Sequence, residues 1–149
     1  MSEKNTLKFD WQFGQEEVSL RVASYMNNNS LYIGLFSRTE YGLEPFGDMT
    51  VNLPVSDIVP LKSNEAYING DMSKDLLAFI QKNKLGTVLS EVGYSGYGRY
   101  AKVAFDMDRL KEFDSAGVER HLQQYRRNNK EIREVNRAED SRQQKRTGR

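Results

Sequence analysis

Apolar and polar residues alternate through much of the first half of this 149-residue chain. Leu7, Phe9, Trp11 and Phe13 alternate with Lys8, Asp10 and Gln12, a period of two that predicts a strand with an aromatic inner face. Gly14 breaks that run. Val18, Leu20 and Val22 alternate with Ser19, Arg21 and Ala23, which predicts a second strand after a turn at residues 15–17. Val18, Val22 and Tyr25 also fit one face of a helix, so both readings stay open there. Asn27, Asn28, Asn29 and Ser30 form a turn, because asparagine tolerates left-handed backbone and bonds its own main chain. Leu31, Ile33 and Leu35 alternate with Tyr32, Gly34 and Phe36, as in a strand with apolar groups on both faces. Residues 37–46 read as a loop or wide hairpin. Met49, Val51 and Leu53 predict a further strand that stops at Pro54.

The period then changes. Tyr67 and Ile68 suit a short strand, and Asn69 suits a helix N-cap with Asp71 in the first turn. Met72, Leu76, Phe79 and Ile80 make the packing stripe of a helix over residues 71–83. Ala101, Val103 and Phe105 alternate as a strand, followed by one or two helical turns with Met107 and Leu110 inward. From Ser115, Val118, Leu122, Tyr125, Ile132 and Val135 recur at helical spacing, but Asn129 interrupts the seam. So thin a stripe does not hold a helix alone. It needs the domain, a second copy in a weak homodimer, or a partner. The predicted class is α+β: a small, mainly antiparallel sheet with one packed helix and a C-terminal charged helix. Residues 1–114 would be the compact domain, 115–138 a charged amphipathic helix and 139–149 a disordered basic tail.

Composition adds one asymmetry. Residues 1–114 carry 12 Lys and Arg against 16 Asp and Glu, whereas residues 115–149 carry 10 against 5. An acidic body with a basic end suggests either a solvated terminus or an arm that touches nucleic acid or an acidic protein. No apolar run approaches the ~20 residues of a spanning helix, so no membrane is expected. The polar start, Ser2-Glu3-Lys4-Asn5, has no signal-peptide character, which makes a cytoplasmic location the default. Without cysteine the chain has no disulfide, zinc-thiolate site or thiol nucleophile.

Candidate chemistry is sparse. The single histidine, His121, lies among Arg120 and Gln123 and reads as a solvated surface residue. Asp106 and Asp108 could share a cation but fit better as a strand end and a helix cap. Asp71 and Asp75 fit a solvated helix edge. No cofactor and no metal is expected, and no catalytic residue is assigned. The unusual stretch is Gly93-Tyr94-Ser95-Gly96-Tyr97-Gly98-Arg99-Tyr100. Its glycines permit tight backbone, and its tyrosines offer rigid amphipathic area. It is a glycine-rich hairpin whose tyrosines cap the core edge, a partner surface, or a base-stacking platform. Tyr94, Tyr97, Arg99 and Tyr100, with Leu122 and Tyr125 of the terminal helix, form the candidate partner-binding set. Arg126, Arg127, Lys130, Arg133 and Arg137 form the candidate nucleic-acid set, although Glu131 and Glu134 interrupt them.

Three stretches carry a resemblance: Glu44-Pro45-Phe46-Gly47-Asp48-Met49-Thr50-Val51-Asn52-Leu53-Pro54, then Leu85-Gly86, then Ser95-Gly96-Tyr97 through Tyr100 to Phe105-Asp106. Over residues 30–114 the chain resembles a family of small uncharacterised proteins carried on conjugative elements, plasmids and phages of Firmicutes. The resemblance implies an accessory role on mobile DNA, such as aiding transfer or inhibiting a host defence complex of the CRISPR type. It supplies no catalytic residues. The resulting expectation is a non-enzymatic accessory protein that binds a host or element protein. The alternative is a nucleic-acid binder that uses the basic helix.

Overall fold

The computed structural model describes residues 5–53, 61–96 and 98–147, with side chains described through residue 128. The alternating stretches form strands, and the described residues build two four-stranded antiparallel sheets. The first sheet is a meander of β1 (Leu7–Trp11), β2 (Gly14–Ser24), β3 (Leu31–Thr39) and β4 (Gly42–Asp48). The second contains β5 (Thr50–Val51), β6 (Glu65–Ile68), β7 (Gly86–Ser95) and β8 (Gly98–Phe105), in the order β5-β6-β8-β7. Helix α1 (Ser73–Lys82) follows a 3-10 turn at Gly70–Met72, and α2 (Met107–Thr147) closes the chain. The expected α+β class with a packed helix and a charged C-terminal helix is therefore present.

The chain changes sheets at Met49. Its N–H donates to the Ile33 carbonyl at 2.9 Å, and its own carbonyl accepts from Asn69 N–H at 3.0 Å. The side chain is fully buried. One residue thus keeps both backbone groups paired while the strand leaves β3 for β6, as burial requires. The strand expected over residues 49–53 shortens to Thr50–Val51. Phe9, Val18, Leu20, Ile33, Leu35, Ile68, Ile80, Val103 and Phe105 fill one continuous core.

Two other expectations change. The first turn is Gln12-Phe13, and residues 15–17 lie within β2. With Gly14 at φ 135°, the chain turns three residues earlier than the pattern suggests. Phe13 accordingly leaves the inner face and is 75% exposed. The loop expected over residues 37–46 is a tight hairpin turned at Glu40-Tyr41, with Gly42 at φ 106°.

Helix α1 buries Leu76, Phe79 and Ile80, as its stripe predicts. It ends where Lys84 takes φ 55°, with Lys84 N–H on the Gln81 carbonyl and Leu85 N–H on the Ile80 carbonyl. That pair of bonds is a Schellman stop, here with lysine where glycine is usual. Asn69 caps the preceding 3-10 turn through Asp71 N–H. At the start of α2, Asp106 rather than Asp108 is the cap, accepting from Arg109 N–H at 3.1 Å.

Candidate interaction surfaces

Helix α2 runs along an edge that the first sheet leaves open. β1 pairs with β2 only from Gly14 to Val18, so β2 beyond that point has no strand on one side. Asp114 sits opposite this gap with φ −152° and ψ 74°, a break in the helix. One carboxylate oxygen accepts from Val22 N–H at 2.9 Å and the other from Gly117 N–H at 3.1 Å. A single side chain therefore pairs one N–H of the open sheet edge and caps the second arm of α2. Gly117 is required beside it, because a Cβ there would collide with the Val22 carbonyl.

One turn further on, His121 is buried, in contrast to the solvated position its polar neighbours imply. Its Nε2 lies 2.7 Å from the Ser63 carbonyl and its Nδ1 lies 2.7 Å from Ser24 Oγ. A carbonyl only accepts, so Nε2 carries the proton and Nδ1 accepts from the Ser24 hydroxyl. Burial holds the imidazole pKa below its ordinary value, and the bond to Ser63 opposes that shift. Four residues later the Tyr125 hydroxyl donates to the Leu61 carbonyl at 2.6 Å. Successive turns of α2 thus grip the Ser63 and Leu61 carbonyls of the segment that leads into β6. A groove of about 320 Å³ lies beside this seam, lined by Ala23, Ser24, Met26, Asn29, Arg120, His121 and Gln124. Ser24 and His121 have the spacing of a nucleophile and its base. With both ring nitrogens bonded and the ring 1% exposed, the pair acts as a brace between β2, α2 and the Ser63 segment.

The candidate partner residues are thus divided between two elements. Leu122 packs on the core and Tyr125 bonds within the chain, so both face the body. On the β7–β8 hairpin, Tyr94 lies directly opposite Arg99, and Gly93 opposite Tyr100. Adjacent strand positions face opposite ways, so Tyr94 and Arg99 share one face and Tyr100 takes the other. Tyr94 is 63% exposed and Arg99 is exposed. The Tyr100 ring is half-buried across Gly98 and Gly70, where added Cβ atoms would meet it. Tyr97 lies outside the described residues. Of the basic set, Arg126 and Arg127 are exposed on α2, and the side chains of Lys130, Arg133 and Arg137 lie outside the described part. Sequence reading missed His121 and Ser24 as a pair, since they are 97 residues apart. The available signal was the register: His121 shares a helical stripe with Val118, Leu122 and Tyr125.

Among the described residues, no group of three or more His, Asp or Glu could hold a metal ion. No helix of the described part is long and apolar enough to cross a membrane. No curated protein and no solved structure matches the chain. A domain of unknown function, DUF4313, matches residues 19–127. That span starts within β2, leaves out β1, and takes in the rest of the first sheet, the second sheet and the docked part of α2, so the chain belongs to the DUF4313 family.

Proposed function

We propose that the chain is a protein-binding accessory factor whose contact surface is the outer face of the β7–β8 hairpin, with Tyr94 as the anchor and Arg99 beside it. The observation that carries this reading is Tyr94, 63% exposed on an ordered strand directly opposite an exposed arginine. Tyrosine and arginine are the residue types that anchor protein interfaces, and the hairpin fixes both before a partner arrives. Binding rather than catalysis is the proposed activity. The resemblance to proteins of mobile elements supports a cytoplasmic setting and a CRISPR-type host defence complex as the target class.

The test is capture from host lysate with tagged protein, with and without nuclease, for the wild type and for Tyr94→Ala/Arg99→Ala. The expected result is one discrete protein that survives nuclease and is lost with the double variant. Its retention by that variant would overturn the reading. A second reading, nucleic-acid binding, draws on exposed Arg126 and Arg127 and on the excess of basic residues after Ser115. It predicts recovery of nucleic acid alone, with an affinity that falls steeply with salt.

A further inference from the structure

We infer that the end of the first sheet formed by the β1–β2 and β3–β4 turns is a docking surface for the basic segment 126–149 of a second copy of this chain. Antiparallel order places these two turns at the same end of the sheet. Each presents one large aromatic residue: Phe13 is 75% exposed and Tyr41 82%.

Neither turn is loose. Phe13 ends a row of edge-to-face rings that starts in the core. Phe79 meets Phe9 at 5.2 Å, Phe9 meets Phe46 at 5.7 Å, Phe46 meets Trp11 at 5.1 Å, and Trp11 meets Phe13 at 5.1 Å. The Tyr41 turn is pinned by its own N–H on Thr39 Oγ1 at 3.1 Å, and by that hydroxyl on the Gly42 carbonyl at 3.2 Å. A ring packed on another ring and a turn pinned by hydrogen bonds lose little freedom when they bind.

The surroundings are acidic. Glu16, Glu40 and Glu44 lie in or close to these turns with Arg38, and further down β2 Glu17 stands opposite Lys8. Asp10 and Lys82, nearby, already pair with each other at 3.4 Å. Exposed aromatic faces with a carboxylate rim fit lysine and arginine side chains, by cation–π contact and by charge. The chain itself supplies that complement. Residues 126–149 carry nine Lys and Arg against four Asp and Glu.

The occupant comes from another copy because α2 runs the wrong way to serve its own sheet end. Its bonds advance from Val22 to Ser24 and on to the Leu61 segment, away from the turn at Gln12-Phe13. The contact is therefore head to tail, acidic end to basic helix, and closes as a ring or continues as an open chain.

Sedimentation velocity of the full chain over rising concentration tests this. At low salt the protein is expected to associate with concentration. Raising salt to about 0.3 M should shift that association to roughly tenfold higher concentration. Phe13→Ser/Tyr41→Ser should weaken it at least about tenfold, with Glu40→Gln/Glu44→Gln as an independent second variant; all four side chains are exposed, so folding should be retained. A synthetic peptide of residues 126–149 should compete with association of the wild type. A monomer at every concentration at low salt would overturn the inference. So would association that both variants leave unchanged, or that the peptide fails to inhibit.

Discussion

At the seam between α2 and β2, Ser24, His121 and Tyr125 direct their polar atoms at other parts of the same chain. On the outer face of the β7–β8 hairpin, Tyr94 and Arg99 present theirs to solvent. The two regions draw on similar residue types, yet one closes the fold and the other is left over from it. The difference lies in what meets each sheet edge. β2 runs past the end of β1 and leaves N–H and C=O groups that must be paired, so a helix with the right side chains is held there. The β7–β8 end also has open edges, because β7 is the outer strand and β6 pairs with β8 only at Lys102, Val103 and Ala104, but there Tyr94 and Arg99 face solvent and are free for a partner.

The comparison breaks first at Gly117. Gly117→Val would press a side chain against the Val22 carbonyl, a backbone atom that cannot move aside. We expect a loss of about 3 kcal/mol, read by urea denaturation. Asp114→Ala comes next. It removes the cap of the second arm and leaves Val22 N–H without its acceptor, a loss of about 2 kcal/mol by the same measurement.

His121 sharpens the contrast through pH. Its folded-state pKa lies below the ordinary value, so below about pH 6.5 the unfolded chain binds the proton and the folded chain resists it. Stability should therefore fall as pH drops from about 6.5 toward 5. His121→Asn should be less stable at neutral pH by roughly 1–2 kcal/mol, because the Ser63 carbonyl or Ser24 hydroxyl loses its partner. Its stability should also lose the slope across that pH window; the same slope in the variant would refute the assignment. The smallest effect on folding belongs to Tyr94→Ala/Arg99→Ala. That double variant should stay within about 0.5 kcal/mol of the wild type while abolishing capture of the partner.

Legibility in the sequence tracked the reach of each interaction. The stripe Leu76, Phe79 and Ile80 and the alternation Leu31, Ile33 and Leu35 are local patterns, and both became the expected elements. The helical pattern expected from Ser115 is present, and the helix breaks just before it, at Asp114. The division into two sheets was hidden, because Met49 makes the transfer with bonds to Ile33 and Asn69, which a local pattern does not report. Phe13 followed the alternation and still left the sheet, since Gly14 set the turn. His121 was misread because its polar sequence neighbours occupy other faces of the helix. The hairpin glycines and tyrosines were legible as unusual, but only the register separates Tyr94 and Arg99 from Tyr100.

The most direct test of the division between a docked helix and a free hairpin face is amide hydrogen exchange of the full chain, resolved by segment. The account predicts that residues 117–125 of α2 exchange only with global opening, at the same free energy as β2 and β3, while the amides around Tyr94 and Arg99 exchange faster. Fast exchange over residues 117–125 with the sheets still protected would contradict it, and would return Leu122 and Tyr125 to the surface a partner can use.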